Sequence, residues 1–271
     1  ISLGLVGSEM CIRDSVNGEG YRMSKLKIMQ YSLTCCEGCA VNLINALASM
    51  LQILDKVEIV TSRILGLPTL READVAFIDG SVITKEDEEV VKIIRRKSKI
   101  VVALGSCASI GGINALKELF SHEEAIRDVY GVFPNIPHLK DVKTLGDVIE
   151  VDYILPGCPP TTNEISRFLM DMVLGKTFRL PDKPICYECK IRSIKCLLEE
   201  GILCLGPIIR AGCEAKCPAY RVPCWGCRGL TDDVNLEAFL ESLERNDIPI
   251  KELKEKIPIF LTKSRIKLTS G

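Results

Sequence analysis

Between Cys186 and Cys227 the sequence carries a dense run of cysteines that could bind metal. Eight thiols fall within 42 residues, and the first and last pairs have the spacing C-x-x-C. Proline and glycine interrupt the run, so the segment cannot bury much apolar surface, and metal–thiolate bonds can supply folding energy instead. Eight thiols divide into two tetrahedral sets of four, which predicts zinc or iron–sulfur centres. The eight are Cys186, Cys189, Cys196, Cys204, Cys213, Cys217, Cys224 and Cys227.

The overall composition limits the classes of protein to which the chain can belong. It has 271 residues, of which 14 are cysteine and 47% are apolar, and its net charge is −1. Disulfide-dense chains are usually short and secreted, which argues against a disulfide framework. The near-neutral charge gives no global field that would attract nucleic acid. No apolar run approaches the ~20 residues of a transmembrane helix, so we expect no membrane span.

The first residues have the character of a non-native leader. The run from Glu9 to Ser15 resembles translated sequencing-adapter sequence, so we interpret Ile1–Ser15 as an artefact. The apolar start has neither a preceding basic region nor a small-residue cleavage site, which argues against a signal peptide. We expect the native chain to start at Met23, and Cys11 is therefore not counted as a ligand.

Apolar runs alternate with helical patterns up to about Pro181, and this alternation predicts the fold. Thr84 is expected to cap a charged helix, and Thr162 or Asn163 the helix that runs to Leu174. Strands that alternate with helices form a parallel sheet with helices on both faces, so we predict an α/β fold. The predicted strands are Leu26–Gln30, Val57–Val60, Asp74–Ile78, Lys99–Leu104 and Val151–Leu155, and the predicted helices include Glu37–Leu54 and Lys85–Lys97.

Two regions give a weaker or different pattern. Residues 120–150 are less regular, and Pro134 and Pro137 indicate a loop there. The glycine-rich run after Leu104 predicts a tight turn. After Pro181 the α/β alternation stops, and the chain past the cysteine run shows one helical stretch, Leu236–Leu243. Pro249 and Pro258 are then expected to break the helical pattern.

The remaining cysteines follow predicted strands. The carboxyl ends of parallel strands share one edge of the sheet, where ligands bind in such folds. Cys36 and Cys39 lie just before a helix, whose N-terminal N–H groups stabilise negative charge. Cys35 could be a buried apolar residue or could pair with Cys36 as adjacent ligands; we favour the C-x-x-C pair. The set predicted to bind one cluster is Cys36, Cys39, Cys107 and Cys158, here called the sheet-edge set.

Grouping and metal identity stay open for the C-terminal eight. The simplest grouping is contiguous, giving an early set and a late set, and interleaved sets are the competitor. Two C-x-x-C pairs also fit zinc ribbons, and spacing alone does not separate the metals. Twelve thiols in three sets favour redox clusters, because three zinc ions would have no evident role beside an α/β domain. The early set is Cys186, Cys189, Cys196 and Cys204; the late set is Cys213, Cys217, Cys224 and Cys227.

Other candidate residues carry weaker signals. His122 and His138 are the only histidines, and neither has a ligand-like partner nearby in the sequence, so we interpret both as surface or loop residues. No phosphate-loop or dinucleotide pattern is present, which leaves nucleotide binding unsupported. Glu37 and Glu164 could tune a potential or relay protons, although carboxylates are common at helix starts because of the macrodipole.

Ordered motifs from about Leu26 to Gly229 resemble the small subunit of nickel–iron hydrogenases. The motifs are C-E-G-C at 36–39, G-S-C-A at 105–108 and P-G-C-P-P at 156–160. The related 20 kDa subunit of respiratory NADH–quinone oxidoreductase shares the last two. The C-terminal run, with C-L-G-P at 204–207 and P-C-W-G-C at 223–227, is similar to cytosolic hydrogenases of the sulfhydrogenase delta and F420-non-reducing types.

The resemblance implies three 4Fe–4S clusters: a proximal one on the sheet-edge set, a medial one on the late set and a distal one on the early set. The distal set of periplasmic hydrogenases begins with a histidine, whereas here that position is Cys186. Their medial cluster has three irons and three cysteines, and here Cys213 supplies a fourth. Cys35 departs from the hydrogenase pattern and is similar to the adjacent cysteines of the quinone oxidoreductase subunit.

The resemblance also implies fold, function and partners. We expect a flavodoxin-like domain over residues 23–180, a cysteine-rich domain over 181–232 and a helical tail over 233–271, after a non-native segment 1–22. The expected role is cytoplasmic relay of single electrons from the Ni–Fe site of a separate large subunit to a diaphorase, flavin or ferredoxin-like partner. A non-hydrogenase redox subunit and a zinc-stapled interaction module are the alternatives.

Overall fold

One five-stranded parallel sheet organises the first two thirds of the chain. The computed structural model describes residues 25–131 and 138–264. The strand order is β2-β1-β3-β4-β5, and every pairing is parallel. This is the order of flavodoxin-like doubly wound sheets, and it confirms the predicted α/β class. The strands are β1 Leu26–Ser32, β2 Val57–Thr61, β3 Ala73–Asp79, β4 Ser98–Leu104 and β5 Tyr153–Leu155.

Helices cover both faces of the sheet and also occur in the cysteine-rich stretch and after it. They are α1 Gly38–Ser49, α2 Lys85–Lys97, α3 Gly105–Ile110, α4 His122–Tyr130, α5 Thr162–Val173, α6 Ile185–Ile191, α7 Lys216–Ala219, α8 Leu236–Arg245, α9 Ile250–Lys256 and α10 Pro258–Leu261. Short 3-10 turns at Leu51–Ile53, Gly112–Leu119, Leu145–Asp147 and Leu198–Glu200 connect them.

The two faces of the sheet have separate apolar cores. Successive strand residues point to opposite faces, so Ile28 packs into the core under α1 and α5, and Met29 packs into the core under α2. At the centre of the first core, Phe168 of α5 is fully buried. Its ring meets those of Phe77, Tyr153 and Phe178 edge to face, with centroids 5.2–5.6 Å apart.

Two helix starts test the predicted caps. Thr84 caps α2 as predicted: its Oγ1 accepts the N–H of Asp87 at 3.0 Å, and Asp87 Oδ2 accepts the N–H of Thr84 at 2.9 Å. The prediction for α5 is wrong by one residue. Thr161 is extended and its Oγ1 accepts the N–H of Glu164 at 3.2 Å, whereas Thr162 already has helical geometry.

The glycine-rich run after β4 is a helix, which corrects the predicted turn. Gly105–Ile110 forms α3, and the positive φ angles of Gly111 and Gly112 end it. The less regular region contains α4, which begins with a capping box between Ser121 and Glu124. Pro134 and Pro137, predicted to mark a loop, lie outside the described residues.

The C-terminal helices pack over the cysteine-rich stretch. Leu243, Leu253 and Leu261 from α8, α9 and α10 share one apolar cluster with the buried Cys204 and Cys224. The prolines interrupt the helical pattern as expected, and each also starts a new helix: Pro249 is the N-cap residue of α9 and Pro258 is the first residue of α10. Proline fits a first helical turn, where its missing N–H would have no partner. The proposed domain boundaries stay a prediction.

Candidate iron–sulfur sites

The four thiols of the sheet-edge set converge where three strands end. Cys36 and Cys39 lie at the start of α1 after β1, Cys107 lies in α3 directly after β4, and Cys158 follows β5. Their electrostatics show the proximity: the pKa of Cys107 is raised to about 11 by burial and by the thiolates of Cys158 and Cys36. Burial raises the pKa of Cys39, and Asp79, Cys107 and Cys158 raise it further.

Glycines leave space for the sulfurs of this set. A Cβ on Gly105, whose φ is +87°, would lie 2.3 Å from Sγ of Cys39. A Cβ on Gly112, whose φ is +51°, would lie 3.2 Å from Sγ of Cys107. The backbone therefore approaches the thiols more closely than any side chain would permit. Thiolate sulfurs are the donors that an iron–sulfur cluster takes, so the residues of this set fit such a cluster.

Cys35 lies beside the sheet-edge set and is hydrogen-bonded to Asp79. Its Sγ donates to Oδ2 of Asp79 at 3.3 Å and accepts the N–H of Glu37 at 3.3 Å. Asp79 is fully buried, and Ser32 Oγ donates to its Oδ1 at 2.9 Å. Burial first and the Asp79 carboxylate second raise the pKa of Cys35 to about 12. The hydrogen bond to Asp79 is the geometric feature that distinguishes Cys35 from the four thiols of the sheet-edge set. Sequence reasoning missed Asp79, although its place at the end of β3 marks it as part of the ligand edge.

The early set is organised by α6 and the loops after it. Burial raises the pKa of Cys186 to about 12, with further contributions from Cys204, Cys189 and Cys196 in that order. The pKa of Cys189 is raised to about 11 by burial and then by Cys204 and Cys196. A Cβ on Gly206 would lie 3.4 Å from Sγ of Cys186 and 3.5 Å from Sγ of Cys204. Sγ of Cys186 and Sγ of Cys204 therefore lie on either side of the space that Gly206 leaves open.

The late set lies between the other two. The pKa of Cys227 is raised to about 12 by burial, the N–H of Cys158 lowers it, and Cys213 and Cys217 raise it. Burial raises the pKa of Cys224 well above its ordinary value, and Cys204, Cys227 and Cys213 add to this. Electrostatic couplings therefore run within the late set and also across to Cys204 of the early set. Which thiols bind one centre stays a prediction.

Hydrogen bonds connect each set to the next. Cys158, in the sheet-edge set, lies close enough to Cys227 in the late set for its backbone N–H to lower the pKa of that thiol. The N–H of Cys224, also in the late set, donates to Sγ of Cys204 in the early set at 3.2 Å. Ser106 Oγ adds a short hydrogen bond to the carbonyl of Cys227. The three sets therefore form a series in space, in the order sheet-edge, late, early.

The donor atoms constrain the group that these sites could hold. The thirteen cysteines of the described residues are all free, and every predicted set consists of thiols alone. Within 25–131 and 138–264, no three His, Cys, Asp or Glu side chains are grouped tightly enough to hold one metal ion. Four thiolates on one zinc ion would stand only about 3.8 Å apart, given Zn–S bonds of about 2.3 Å. An iron–sulfur cube is a larger body and needs more room between its ligands.

A buried ion pair joins the sheet domain to the late set. Arg228 follows Cys227, and its guanidinium donates to Oε1 and Oε2 of Glu164 at 2.7 Å each. The two side chains are 1% and 2% exposed. Sequence reasoning singled out Glu164 without a partner, because only the fold brings Arg228 to the first turn of α5.

The histidine prediction is wrong in one respect. Nε2 of His122 lies 2.8 Å from Nε2 of His138, and the rings stack with centroids 4.5 Å apart. Both are surface residues as expected, but each has the other as a partner. A gap of 16 residues hides this contact from a reading of the sequence. The pair lies in a pocket lined by α4 and residues 138–141.

Comparison with known proteins shows which family this chain belongs to. The family model described as NADH ubiquinone oxidoreductase, 20 Kd subunit, matches residues 36–172 and so ends before the early set begins. The chain is 36% identical over 237 residues to subunit delta of sulfhydrogenase 2 from Pyrococcus furiosus, covering 87% of this chain and 99% of that protein. It is 37% identical over 238 residues to a vhu subunit of the F420-non-reducing hydrogenase from Methanocaldococcus jannaschii, covering 76% of this chain and 83% of that protein.

Solved structures give the same result for the fold. A chain of the NAD+-reducing [NiFe]-hydrogenase in its H2-reduced state superposes with a TM-score of 0.53 at 31% identity, covering 58% of this chain and 96% of that chain. A chain of the [NiFeSe]-hydrogenase of Dm. baculatum superposes with a TM-score of 0.52 at 17% identity, which concerns the fold alone. Among the described residues, no helix is long and apolar enough to cross a membrane. With these motifs, this strand order and these relatives, the chain belongs to the family of hydrogenase small subunits.

Proposed function

We propose that the chain is the electron-transferring small subunit of a cytoplasmic nickel–iron hydrogenase. In this proposal it relays single electrons between the Ni–Fe site of a separate large subunit and a redox partner through three 4Fe–4S clusters. The observation that supports the proposal is the series of three thiol sets, linked by the bond from Cys224 to Cys204 and by the bond from Ser106, next to Cys107, to Cys227. Relatives named as subunits of hydrogenases support the same role.

The proposal assigns each set to one cluster. The sheet-edge set holds the proximal cluster, the late set the medial one and the early set the distal one. A 4Fe–4S cluster takes up and returns one electron at a potential set by charge, burial and hydrogen bonds to its sulfurs. The chain's own part is to hold the thiolates, to exclude water and to present N–H donors. Cys224 does all three, because it is buried and its N–H donates to Sγ of Cys204.

The two ends of the series differ in their surroundings, and this supports a different docking partner at each end. Cys36 and Cys158 of the sheet-edge set are exposed at the edge of the sheet, as needed for a large subunit to approach. At the other end, Tyr187 and Ile191 of α6 flank the early set and are 53% and 65% exposed. Exposed apolar side chains in this position suit a docked diaphorase, flavin or ferredoxin-like partner.

Reduction by H2 tests the proposal. The full chain, purified anaerobically with and without its large subunit, is placed under H2 and followed by electron paramagnetic resonance. We expect reduced-cluster signals only when the large subunit is present. Reduction of the isolated chain by H2 would contradict the assignment of H2 cleavage to another subunit. Cluster signals that H2 never elicits in the complex would exclude the hydrogenase role.

A second candidate is an iron–sulfur subunit of a quinone- or ferredoxin-linked complex without hydrogenase activity. The match of residues 36–172 to the NADH ubiquinone oxidoreductase 20 Kd subunit favours it. The subunit that co-purifies with the chain decides between the two. A large subunit with nickel supports the hydrogenase, and one without nickel supports the alternative. A zinc-stapled module, the third possibility, would contain zinc and no sulfide.

A further inference from the structure

The Arg228–Glu164 pair is more fully bonded than a surface ion pair. Beyond the two bonds to Glu164, Nε of Arg228 donates to the carbonyls of Arg210 and Ala211 at 3.1 and 3.0 Å. Its Nη1 also donates to the carbonyl of Pro156 at 2.7 Å. Pro156 lies two residues before Cys158, and Ala211 two residues before Cys213. One side chain therefore ties the backbone beside a sheet-edge thiol to the backbone beside a late-set thiol.

The backbone makes room for this pair. Gly212 has a φ of +122°, and a Cβ there would lie 2.2 Å from Nη2 of Arg228 and 2.6 Å from Oε1 of Glu164. Burying two charges is costly, and an apolar pair of similar size is often at least as stable. Stability alone thus does not account for charges in this position, and a role for the charge itself should be sought.

The positive end of the pair acts on the late set. Arg228 directly follows Cys227, and its Nε donates to the carbonyl of Ala211, two residues before Cys213, so its guanidinium lies beside two late-set thiols. Glu164 belongs to α5 and neutralises the guanidinium from the other side. The balance of these two charges determines the electrostatic potential at the late-set thiols. In a buried site, where water screens little, such charges act strongly.

We propose that Arg228 is a positioning residue whose fixed positive charge raises the reduction potential of the centre held by the late set, with Glu164 limiting that effect. Reduction adds one electron to an already negative cluster, so a nearby cation favours the reduced state. The bonds to Pro156 and Ala211 hold the late set in register with the sheet-edge set. This inference rests on the proposed function, because it requires a redox centre at these thiols.

Redox titration of the full, anaerobically purified chain, followed by electron paramagnetic resonance, tests the inference. Arg228→Met should lower the midpoint potential of the late-set centre, and Glu164→Gln should raise it. Arg228→Lys keeps the positive charge but loses the paired hydrogen bonds of the guanidinium, and its midpoint potential should stay close to that of the unaltered chain. Arg95→Met is the matched control for charge and should leave the midpoint potential unchanged. Arg95 pairs with Asp152 and donates to the carbonyl of Ser98, at the edge of the sheet opposite the thiols.

A purely structural pair would give a different result. Arg228→Met and Glu164→Gln would then both reduce iron content and would move the potential in the same direction or not at all, which overturns the inference. If Arg228→Met loses the late-set centre, Glu164→Gln and Arg228→Lys still decide the sign. Absence of any cluster signal from the unaltered chain would instead refute the proposed function, so the two failures are distinguishable.

Discussion

Cys224 donates its backbone N–H to Sγ of Cys204 at 3.2 Å, so a residue of the late set is bonded directly to a thiol of the early set. The N–H of Leu205 returns a bond to the carbonyl of Cys224 at 3.1 Å. Two segments about 20 residues apart in sequence are thus paired backbone to backbone. N–H donors to cluster sulfurs stabilise negative charge on those sulfurs. They also provide a short route of covalent and hydrogen bonds for electrons between neighbouring sites.

The position of Cys35 predicts unequal effects of two adjacent substitutions. Cys36→Ser should remove about four irons per chain, because it deletes a proposed ligand of the sheet-edge set. Cys35→Ser should retain the full iron content, because a serine hydroxyl can also donate to Asp79. Iron analysis of both purified variants checks this. Loss of iron in Cys35→Ser alone would mean that the adjacent cysteine is the ligand.

The tight approach of Gly105 to Cys39 predicts a specific defect. Gly105→Ala adds a Cβ about 2.3 Å from Sγ of Cys39 and also strains a positive φ, so the sheet-edge cluster should be lost. Gly175→Ala is the matched control, since Gly175 has a φ of +66° with nothing within 4 Å of a Cβ. The control should lose only about 1–2 kcal/mol of unfolding free energy through backbone strain, and it should keep its iron. Equal iron contents in the two variants would contradict the proposed packing.

The buried thiols predict an alkaline loss of stability in the metal-free chain. The pKa values of Cys107 and Cys186 rise from 9.0 to about 11 and about 12 on folding, chiefly through burial. Between pH 9 and those values the folded chain holds more protons than the unfolded chain, so stability falls as pH rises. Chemical denaturation of the reduced, metal-free chain at pH 8 and pH 10 measures this. In the cluster-loaded chain the thiolates are already formed, so the free energy of unfolding should fall less steeply between pH 8 and pH 10.

The aromatic cluster around Phe168 predicts a loss of stability without a direct loss of ligands. Phe168→Ala removes a fully buried ring that contacts three other rings, and should cost about 3–5 kcal/mol of unfolding free energy. Phe120→Ala is the control, since Phe120 is 58% exposed, and should change stability by less than about 0.5 kcal/mol. Urea denaturation of both variants compares them. Equal losses would contradict the assignment of Phe168 to the core.

The sequence predicted the features that depend on local pattern. Short apolar runs located the strands to within a few residues, and Thr84 marked the start of α2. The cysteines at strand ends could be brought together because parallel strands share one carboxyl edge. Cap positions were less certain, since Thr161, Thr162 and Asn163 are all suitable cap residues and only backbone geometry selects Thr161.

Contacts between distant segments could not be predicted in this way. The Arg228–Glu164 pair spans 64 residues and the Cys35–Asp79 bond spans 44, and neither leaves a local pattern. The contact between His122 and His138 depends likewise on how residues 138–141 return to α4. The sequence predicted a helical tail interrupted at Pro249 and Pro258, but not that each proline starts a new helix, a position to which proline is suited.

Iron and acid-labile sulfide analysis of the full chain, purified without oxygen, tests the central claim most directly. Three thiol sets that each hold a cubane predict about twelve irons and about twelve sulfides per chain, with no zinc. Cys107→Ser, Cys196→Ser and Cys217→Ser, with one ligand removed from each set, should each lower the iron content by about four. Two or three zinc ions without sulfide would contradict the electron-transfer account and leave a structural metal module.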